Sequence, residues 1–322
     1  MRIMVAGDWH GNTRHAVNLI NKAGDLKIQH IVQVGDFGLW THNFDGHVYL
    51  DELQDAARAN NLSIYAVGGN HENWDHWNYI TETMPGSKGF AAVRSRVLLA
   101  PKANGWTWAG KTFGSAGGAV SIDKDVRLVR ERGGIQMTAW GVMDGGRGTG
   151  PRTQWWPNEQ FTEHDLIKYK ERVGRVDYLF SHDCSDYTPF KDRLKPDLDS
   201  KAHRQRIDKV IANSQASMHF HGHMHTRYDW ENSRSHGFFE PGEGARSTRT
   251  IGLECDGDKD SWGVLEVEDG TWLWPDDVDA SIERRVKAKA EAYKARMEAS
   301  GSKPDEMPDD DPRGGHLMKR VR

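Results

Sequence analysis

The chain has 322 residues, with 43 Lys and Arg against 47 Asp and Glu and a formal net charge of -4. That length allows one large domain or two small ones, and the near-neutral balance offers no broad basic surface to a nucleic-acid backbone. Two cysteines, Cys184 and Cys255, exclude a disulfide framework and suit a reducing compartment.

The first residues lead straight into a strand pattern, without the charged-then-apolar layout of a signal peptide, and no apolar run is long enough to span a bilayer. The reading is a soluble cytoplasmic protein with no membrane partner. Short Ile- and Val-rich runs at Arg2–Ala6, Ile28–Val34 and Leu62–Val67, each closed by Gly, predict buried strands. Between the first two, Ala16, Val17, Ile20 and Ala23 fall at helical spacing, so Thr13–Ala23 is a predicted helix with Gly24 as its C-cap. Val48–Ala59 is a second helix, with Leu53, Ala56 and Ala57 on one face. Strand–helix–strand–helix–strand implies parallel strands joined by right-handed crossovers.

After Pro101 the texture changes. Trp106–Ala109 and Thr112–Ser115 predict a hairpin turning at Gly110-Lys111. Gly117–Pro157 is rich in Gly and charge and predicts long loops with one short helix. Of the 13 tryptophans, Trp106, Trp108, Trp155 and Trp156 cluster in the middle third. Core packing is the favoured role for them, over a stacking platform for a nucleobase.

Helix Glu159–Arg172 and strand Val176–Phe180 follow. Met218–His221, Arg227–Trp230, Thr250–Leu253, Gly263–Val267 and Thr271–Trp274 predict a second sheet with antiparallel pairing. Ile282, Val286, Ala290, Tyr293 and Met297 predict a C-terminal helix at Ser281–Ala299. The domain plan is therefore one main folded unit at 1–275 with an insert at about 117–157, a helix within 276–299, and a disordered tail at 300–322.

Five polar motifs interrupt this pattern, each at the end of an apolar strand: Asp8-Trp9-His10, Gly35-Asp36, Gly69-Asn70-His71-Glu72, Ser181-His182-Asp183 and Gly222-His223-Met224-His225. Ligand sites of open α/β sheets gather at carboxyl ends of strands, so these loops are expected to converge. Carboxylate with imidazole, and no thiolate, is the donor chemistry of Zn, Mn or Fe. Asp8 and His10, at i and i+2 on an extended segment, point the same way. Asp36, with two oxygens, is able to bridge two cations. Gly35, Gly69 and Gly222 let the backbone turn sharply or approach closely. Asp-x-His and Gly-Asp alone carry almost nothing, and Gly-Asn-His-Glu and Gly-His-x-His are moderately informative; five in order, each behind a strand, form a strong signal. His15, His30, His42, His47, His164 and His203 belong to no motif and are read as core or surface residues. His219 and His221 are read as strand packing or hydrogen-bonding support for the ligands. Glu72 and Asp183 are read as supports of the same kind, and Cys184 as a small buried residue.

With these motifs, the sequence resembles the calcineurin-like metallophosphoesterases over Asp8 to His225. Gly117-Gly118-Ala119-Val120-Ser121-Ile122-Asp123-Lys124 and Trp155-Trp156-Pro157-Asn158-Glu159 further resemble a branch of small enzymes in actinobacteria and their phages; a phage-encoded chain would work in the host cytoplasm. The resemblance implies an α/β fold of two mixed β-sheets packed as a sandwich flanked by helices. It implies a first metal held by Asp8, His10, Asp36 and His225, and a second held by Asp36, Asn70, His182 and His223, with Asp36 bridging. The two cations would be divalent transition metals (Mn, Fe, Zn or Ni, with Mn favoured in vitro). A hydroxide held between them would attack a phosphate ester, and His71 would protonate the leaving oxygen or stabilise charge there.

Phe37-Gly38-Leu39-Trp40 follows Gly35-Asp36, without the Asp-Arg pair of the protein serine/threonine phosphatases in this superfamily. A small phosphodiester, such as a cyclic nucleotide, is the favoured substrate. A monoester, a nuclease role, or a metal-binding scaffold without turnover are the alternatives. Lys124 and Arg127, from the charged stretch Asp123–Arg132 that also holds Arg130, read equally as a phosphate clamp and as a solvated loop.

Overall fold

The computed structural model describes residues 1–84, 86–131, 136–138, 141–143, 154–190, 197–232 and 247–300. It divides into two compact units, Met1–Pro275 and Asp276–Arg322. In chain order the first unit contains β1 (Arg2–Ala6), α1 (Thr13–Asp25), β2 (His30–Val34), α2 (Phe44–Ala59), β3 (Ser63–Val67), α3 (Trp74–Thr83), β4 (Ala91–Arg94) and β5 (Val97–Leu99). Then come β6 (Ala103–Trp108), β7 (Lys111–Ala116), α4 (Lys124–Glu131), β8 (Gln136–Thr138), β9 (Gly141–Met143), α5 (Glu163–Arg172), β10 (Tyr178–Ser181) and α6 (Leu198–Ser214). It closes with β11 (Met218–His221), β12 (Tyr228–Asn232), β13 (Thr248–Gly252), β14 (Trp262–Glu266) and β15 (Thr271–Leu273). The helix α7 (Pro275–Ser300) accounts for the described part of the second unit. The tail expected to be disordered lies, from residue 301 on, outside the described residues, as do Arg132 and the rest of the insert's undescribed positions.

Two mixed sheets form the body. One runs β15-β14-β1-β2-β3-β5-β4 and the other β12-β13-β11-β10-β7-β6. Between them lies a core of Ile3, Val5, Val32, Val34 and Val67 from one sheet and Phe113, Tyr178, Phe180, Phe220 and Ile251 from the other. The period of two along β10 assigns its faces: Tyr178 and Phe180 enter this core, whereas Leu179 packs with Leu166, Tyr169, Ile207 and Ile211 of α5 and α6. Trp106, Trp108 and Trp156 are buried.

The parallel order expected at the N-terminus is present, with β2 parallel to both β1 and β3. The expected second sheet needs correcting. Met218–His221 pairs parallel to β13, and β14 and β15 join the first sheet, β14 running antiparallel beside β1. Strand order is a non-local choice: Val264 and Leu265 satisfy either sheet's apolar pattern, and their partners Met4 and Ile3 lie at the other end of the chain. Gly24 is not a cap. Helix α1 runs through Asp25, and Gly24 sits where a Cβ would collide with the Asn60 side chain at the end of α2. Helix α5 starts at Glu163, four residues after the expected start, because Thr162 caps it by a reciprocal bond with Asp165. Glu159 is thereby freed for another role. Helix α6 had no sequence signal because its buried face includes Ser200, His203, Arg204 and Ser214, which blur the apolar period. The insert region carries α4 and the antiparallel pair β8–β9.

Candidate metal centre

The carboxyl ends of β1, β2, β3, β10 and β11 bring the five motifs into one cluster. Three groups of side chains each gather their ligand atoms within 4.8 Å of one another: Asp8, His10 and His225; His10, Asp36 and His71; and Asp36, His182 and His223. His10 joins the first group to the second, and Asp36 joins the second to the third. His225 Nε2 lies 3.0 Å from Asp8 Oδ2, His10 Nε2 3.4 Å from Asp36 Oδ2, and His182 Nε2 3.3 Å from Asp36 Oδ1. Asn70 Oδ1 lies 3.1 Å from His182 Nε2, on the same side. All seven expected ligands and His71 are thus together, and His71 shares the middle group although it was expected to face the substrate.

The backbone bends sharply to achieve this. His10, Asp36, His223 and His225 have φ of 46°, 50°, 62° and 44°, a region that side chains with a Cβ seldom occupy. Such conformations persist where surrounding structure enforces them, and they gather at functional sites. Close approach requires glycine here: a Cβ on Gly35 would overlap the His182 ring, one on Gly69 would overlap Asp36, and one on Gly222 would overlap Asp8 Oδ1. Glu72 braces the turn behind Asp36, accepting the backbone N–H groups of Phe37, Gly38 and Leu39 at 2.6, 3.1 and 2.8 Å.

Two imidazoles are pinned through one nitrogen, leaving the other aimed into the cluster. His182 Nδ1 donates to Val34 O at 2.9 Å, and His10 Nδ1 to Asp256 Oδ1 at 2.7 Å. Asp256, which also accepts from Asn12 Nδ2 at 2.7 Å, stands in the loop after β13 and was not anticipated. A lone Asp in a Gly- and Asp-rich loop carries no sequence signal. His219 Nε2 meets Ser181 Oγ at 2.6 Å, and His221 donates from Nδ1 to Gly222 O at 2.8 Å while its Nε2 meets the Tyr228 hydroxyl. Asp183 accepts from His203 Nδ1 at 2.7 Å, and the Phe161 N–H donates to His203 Nε2 at 3.0 Å, which makes His203 a neutral, structural core residue. Cys184 is buried.

Electrostatically the cluster favours cations. Asp8 and Asp36 are buried carboxylates. Burial pushes the Asp36 carboxyl up, but His182, His71 and His10 overcome this and hold it well below the usual carboxylate range. Burial lowers His71, with Arg127 and His10 adding to the effect against Asp36. The donor set fits divalent transition metals: carboxylate oxygens and imidazole nitrogens converge, and no thiolate is required.

Of the insert residues, Arg127 is buried and reaches the cluster. Its guanidinium meets His71 Nε2 and donates to Asn70 O at 3.4 Å, while Asp123 Oδ1 holds its Nε at 2.8 Å. Lys124 is exposed, and its ammonium lies 4.5 Å from the centroid of the Trp155 ring.

Residues 1–227 match the model of the calcineurin-like phosphoesterases, which covers these ligand-bearing loops. The chain belongs to the calcineurin-like phosphoesterase family. The family depends on a dinuclear metal centre, and the phosphoesterase carries the Asp/His groups suited to one. No curated protein matches its sequence. Among solved structures it is similar to the protein TT1561 of Thermus thermophilus, at 12% identity and a TM-score of 0.46 over 84% of this chain and 96% of that one. It is also similar to a dimetal phosphatase from Danio rerio, at 13% identity and a TM-score of 0.46 over 84% and 93% of the two chains. An archaeal phosphodiesterase is similar at 11% identity and a TM-score of 0.36 over 84% and 97%. Among the described residues of the phosphoesterase, no helix is long and apolar enough to cross a membrane.

Proposed function

We propose that the protein is a two-metal phosphodiesterase acting on small phosphodiesters, cyclic nucleotides among them. The observation that carries this reading is the position of Asp36, whose carboxylate belongs to two adjoining ligand groups at once. Asp8, His10, Asp36 and His225 would hold one cation, and Asp36, Asn70, His182 and His223 the other. Bound there, two divalent cations supply Lewis acidity, which neutralises phosphate charge and makes water a nucleophile at neutral pH.

The protein's own groups then do the rest. Arg127 presents a fixed positive charge beside His71 and suits a non-bridging phosphate oxygen. Because the guanidinium donates to His71 Nε2, the resting imidazole carries its proton on Nδ1. A phosphate that draws Arg127 to itself frees Nε2 to take a proton from solvent water and pass it to the leaving oxygen, which departs as the alcohol. Among the described residues, the single guanidinium at the cluster, that of Arg127, favours a monoanionic diester over a dianionic monoester. The near-neutral net charge supports a small substrate over a nucleic acid.

The test compares kcat/KM for bis(p-nitrophenyl) phosphate and p-nitrophenyl phosphate with added Mn²⁺, followed by competition with cyclic nucleotides, dinucleotides and monoesters. Faster diester turnover, inhibited by a cyclic nucleotide, supports the proposal. Faster monoester turnover would reassign the substrate, and two bound Mn²⁺ with no turnover of either would leave a metal-binding scaffold.

A further inference from the structure

The two segments around Ser121 and Glu159 meet in the fold, although 38 residues separate these side chains in sequence. Glu159 Oε1 accepts the Ser121 N–H at 2.7 Å, and Oε2 accepts its hydroxyl at 2.6 Å. The Ser121 hydroxyl, its proton committed to Glu159, presents a lone pair to Asn70, whose Nδ2 donates to it at 3.2 Å. All three side chains are buried. The surrounding backbone is seated just as closely. The Gly118 N–H donates to Gly68 O at 2.7 Å, and with a φ of +104° Gly118 lies against the Glu159 carbonyl, where a Cβ would collide.

This arrangement addresses a difficulty specific to an asparagine ligand. A carboxylate offers oxygen in either orientation, whereas an amide rotated by half a turn offers the metal an NH₂ group that cannot ligate. Asn70 therefore needs a partner that reads which of its two ends is which. A bare hydroxyl would not serve, since it either donates or accepts. A hydroxyl whose proton is held by a buried carboxylate accepts only.

We propose that Glu159 and Ser121 form a polarity relay that fixes the Asn70 amide with Oδ1 toward the second cation site, making the insert segment a positioning part of the metal centre. The relay rests on the two-metal reading above. It assigns a role to the sequence blocks Gly117–Lys124 and Trp155–Glu159, which the ligand set leaves unexplained. Ser121 and Glu159 touch no substrate or metal in this scheme and act through Asn70 alone.

The experiment is Mn²⁺ titration of the metal-free 322-residue chain, followed by electron paramagnetic resonance. It uses wild type, Ser121→Ala, Glu159→Gln, Asn70→Asp and the double variant Asn70→Asp/Ser121→Ala. Ser121→Ala should weaken one of two Mn²⁺ sites by about 10–100-fold and leave the other in place. Glu159→Gln should act in the same direction, because its amide donates to Ser121 and lets the hydroxyl turn its proton toward Asn70 Oδ1. In the Asn70→Asp background, where orientation no longer matters, adding Ser121→Ala should change affinity within about twofold.

Equal losses from Ser121→Ala in both backgrounds would show a merely structural role and overturn the relay, as would no loss in either. Failure of the two-metal reading looks different: wild type itself would bind fewer than two Mn²⁺. The relay is then judged in the metal-free protein from the Asn70 side-chain amide protons by ¹⁵N NMR. Slow exchange that is lost in Ser121→Ala supports it, and exchange unaffected by the substitution overturns it.

Discussion

Asp256 and His10 stand 246 residues apart in sequence and 2.7 Å apart in the fold, carboxylate oxygen to Nδ1. The contact fixes the ring so that Nε2 faces Asp36, at 3.4 Å. Carboxylates that hold a ligating imidazole in this way set its tautomer and raise its basicity.

Asp256→Ala should therefore weaken Mn²⁺ at the His10 site by about 10–100-fold while leaving the His182 site unchanged. Asp256→Asn, which keeps an acceptor oxygen for Nδ1–H, should lose less. Stepwise Mn²⁺ affinities measure both, and equal loss at both sites would show that the Asp256 loop supports the fold and not the ligand.

Asp36→Asn should damage the centre more deeply than His10→Ala. An amide is a poor bridge between two cations, and the Asp36 carboxylate belongs to two ligand groups while its Oδ1 also accepts the His71 backbone N–H at 2.8 Å. Elemental analysis should give fewer metals per chain for Asp36→Asn than for His10→Ala. Two metals and a near-normal rate in Asp36→Asn would remove the bridge.

His71→Ala should leave metal content nearly unchanged and lower kcat by about 10²–10⁴-fold for esters with poor alkoxide leaving groups. The loss should shrink for nitrophenolate, which departs without a proton. Loss of metal together with activity would make His71 a ligand, in keeping with its place beside His10 and Asp36. An equal loss across the leaving-group series would make it a phosphate-positioning group.

Metal uptake should release protons and strengthen with pH. Burial lowers the His182 imidazole, but the facing Asp36 and Asp8 outweigh it and lift the ring from 6.5 to about 10. Burial likewise opposes His10, which Asp36, Asp8 and Asp256 raise to about 9, whereas burial pushes His223 down to about 4. At pH 7 the metal-free protein thus holds a proton on His10 and on His182 that a cation must displace, about two in all, measurable by pH-stat on adding Mn²⁺. For folding the sign is that of raised pKa values. Their stabilisation of the metal-free protein is complete below pH 6.5 and lost as pH rises through about 9 to 10. The thermal midpoint of metal-free protein should fall over that window, and that of Mn²⁺-loaded protein should not.

Phe180→Ala should destabilise the fold by about 3–5 kcal/mol in urea unfolding. Phe180 is fully buried between the sheets, with its ring centroid 5.3 Å from Phe220 and 5.9 Å from Trp106. A change under about 1 kcal/mol would show that the inter-sheet core collapses around the gap.

The sequence by itself determined which residues supply the cluster. Asp8, Asp36, Asn70, His182 and His223 each follow a short apolar strand, and strand periodicity and glycine punctuation are local properties that survive in one dimension. It also determined the parallel run β1–β3, because each crossover is a short amphipathic helix. Tertiary structure alone decided what supports the ligands. Asp256 behind His10, and Ser121 and Glu159 behind Asn70, are single polar residues in loops, with no period to mark them and partners far along the chain. The placement of β14 beside β1 was decided the same way, by an antiparallel pairing with a strand at the other end of the chain. Hydrogen bonds of this kind leave no mark on either chain segment until both are folded against each other, since one acceptor and one donor are common everywhere in a sequence.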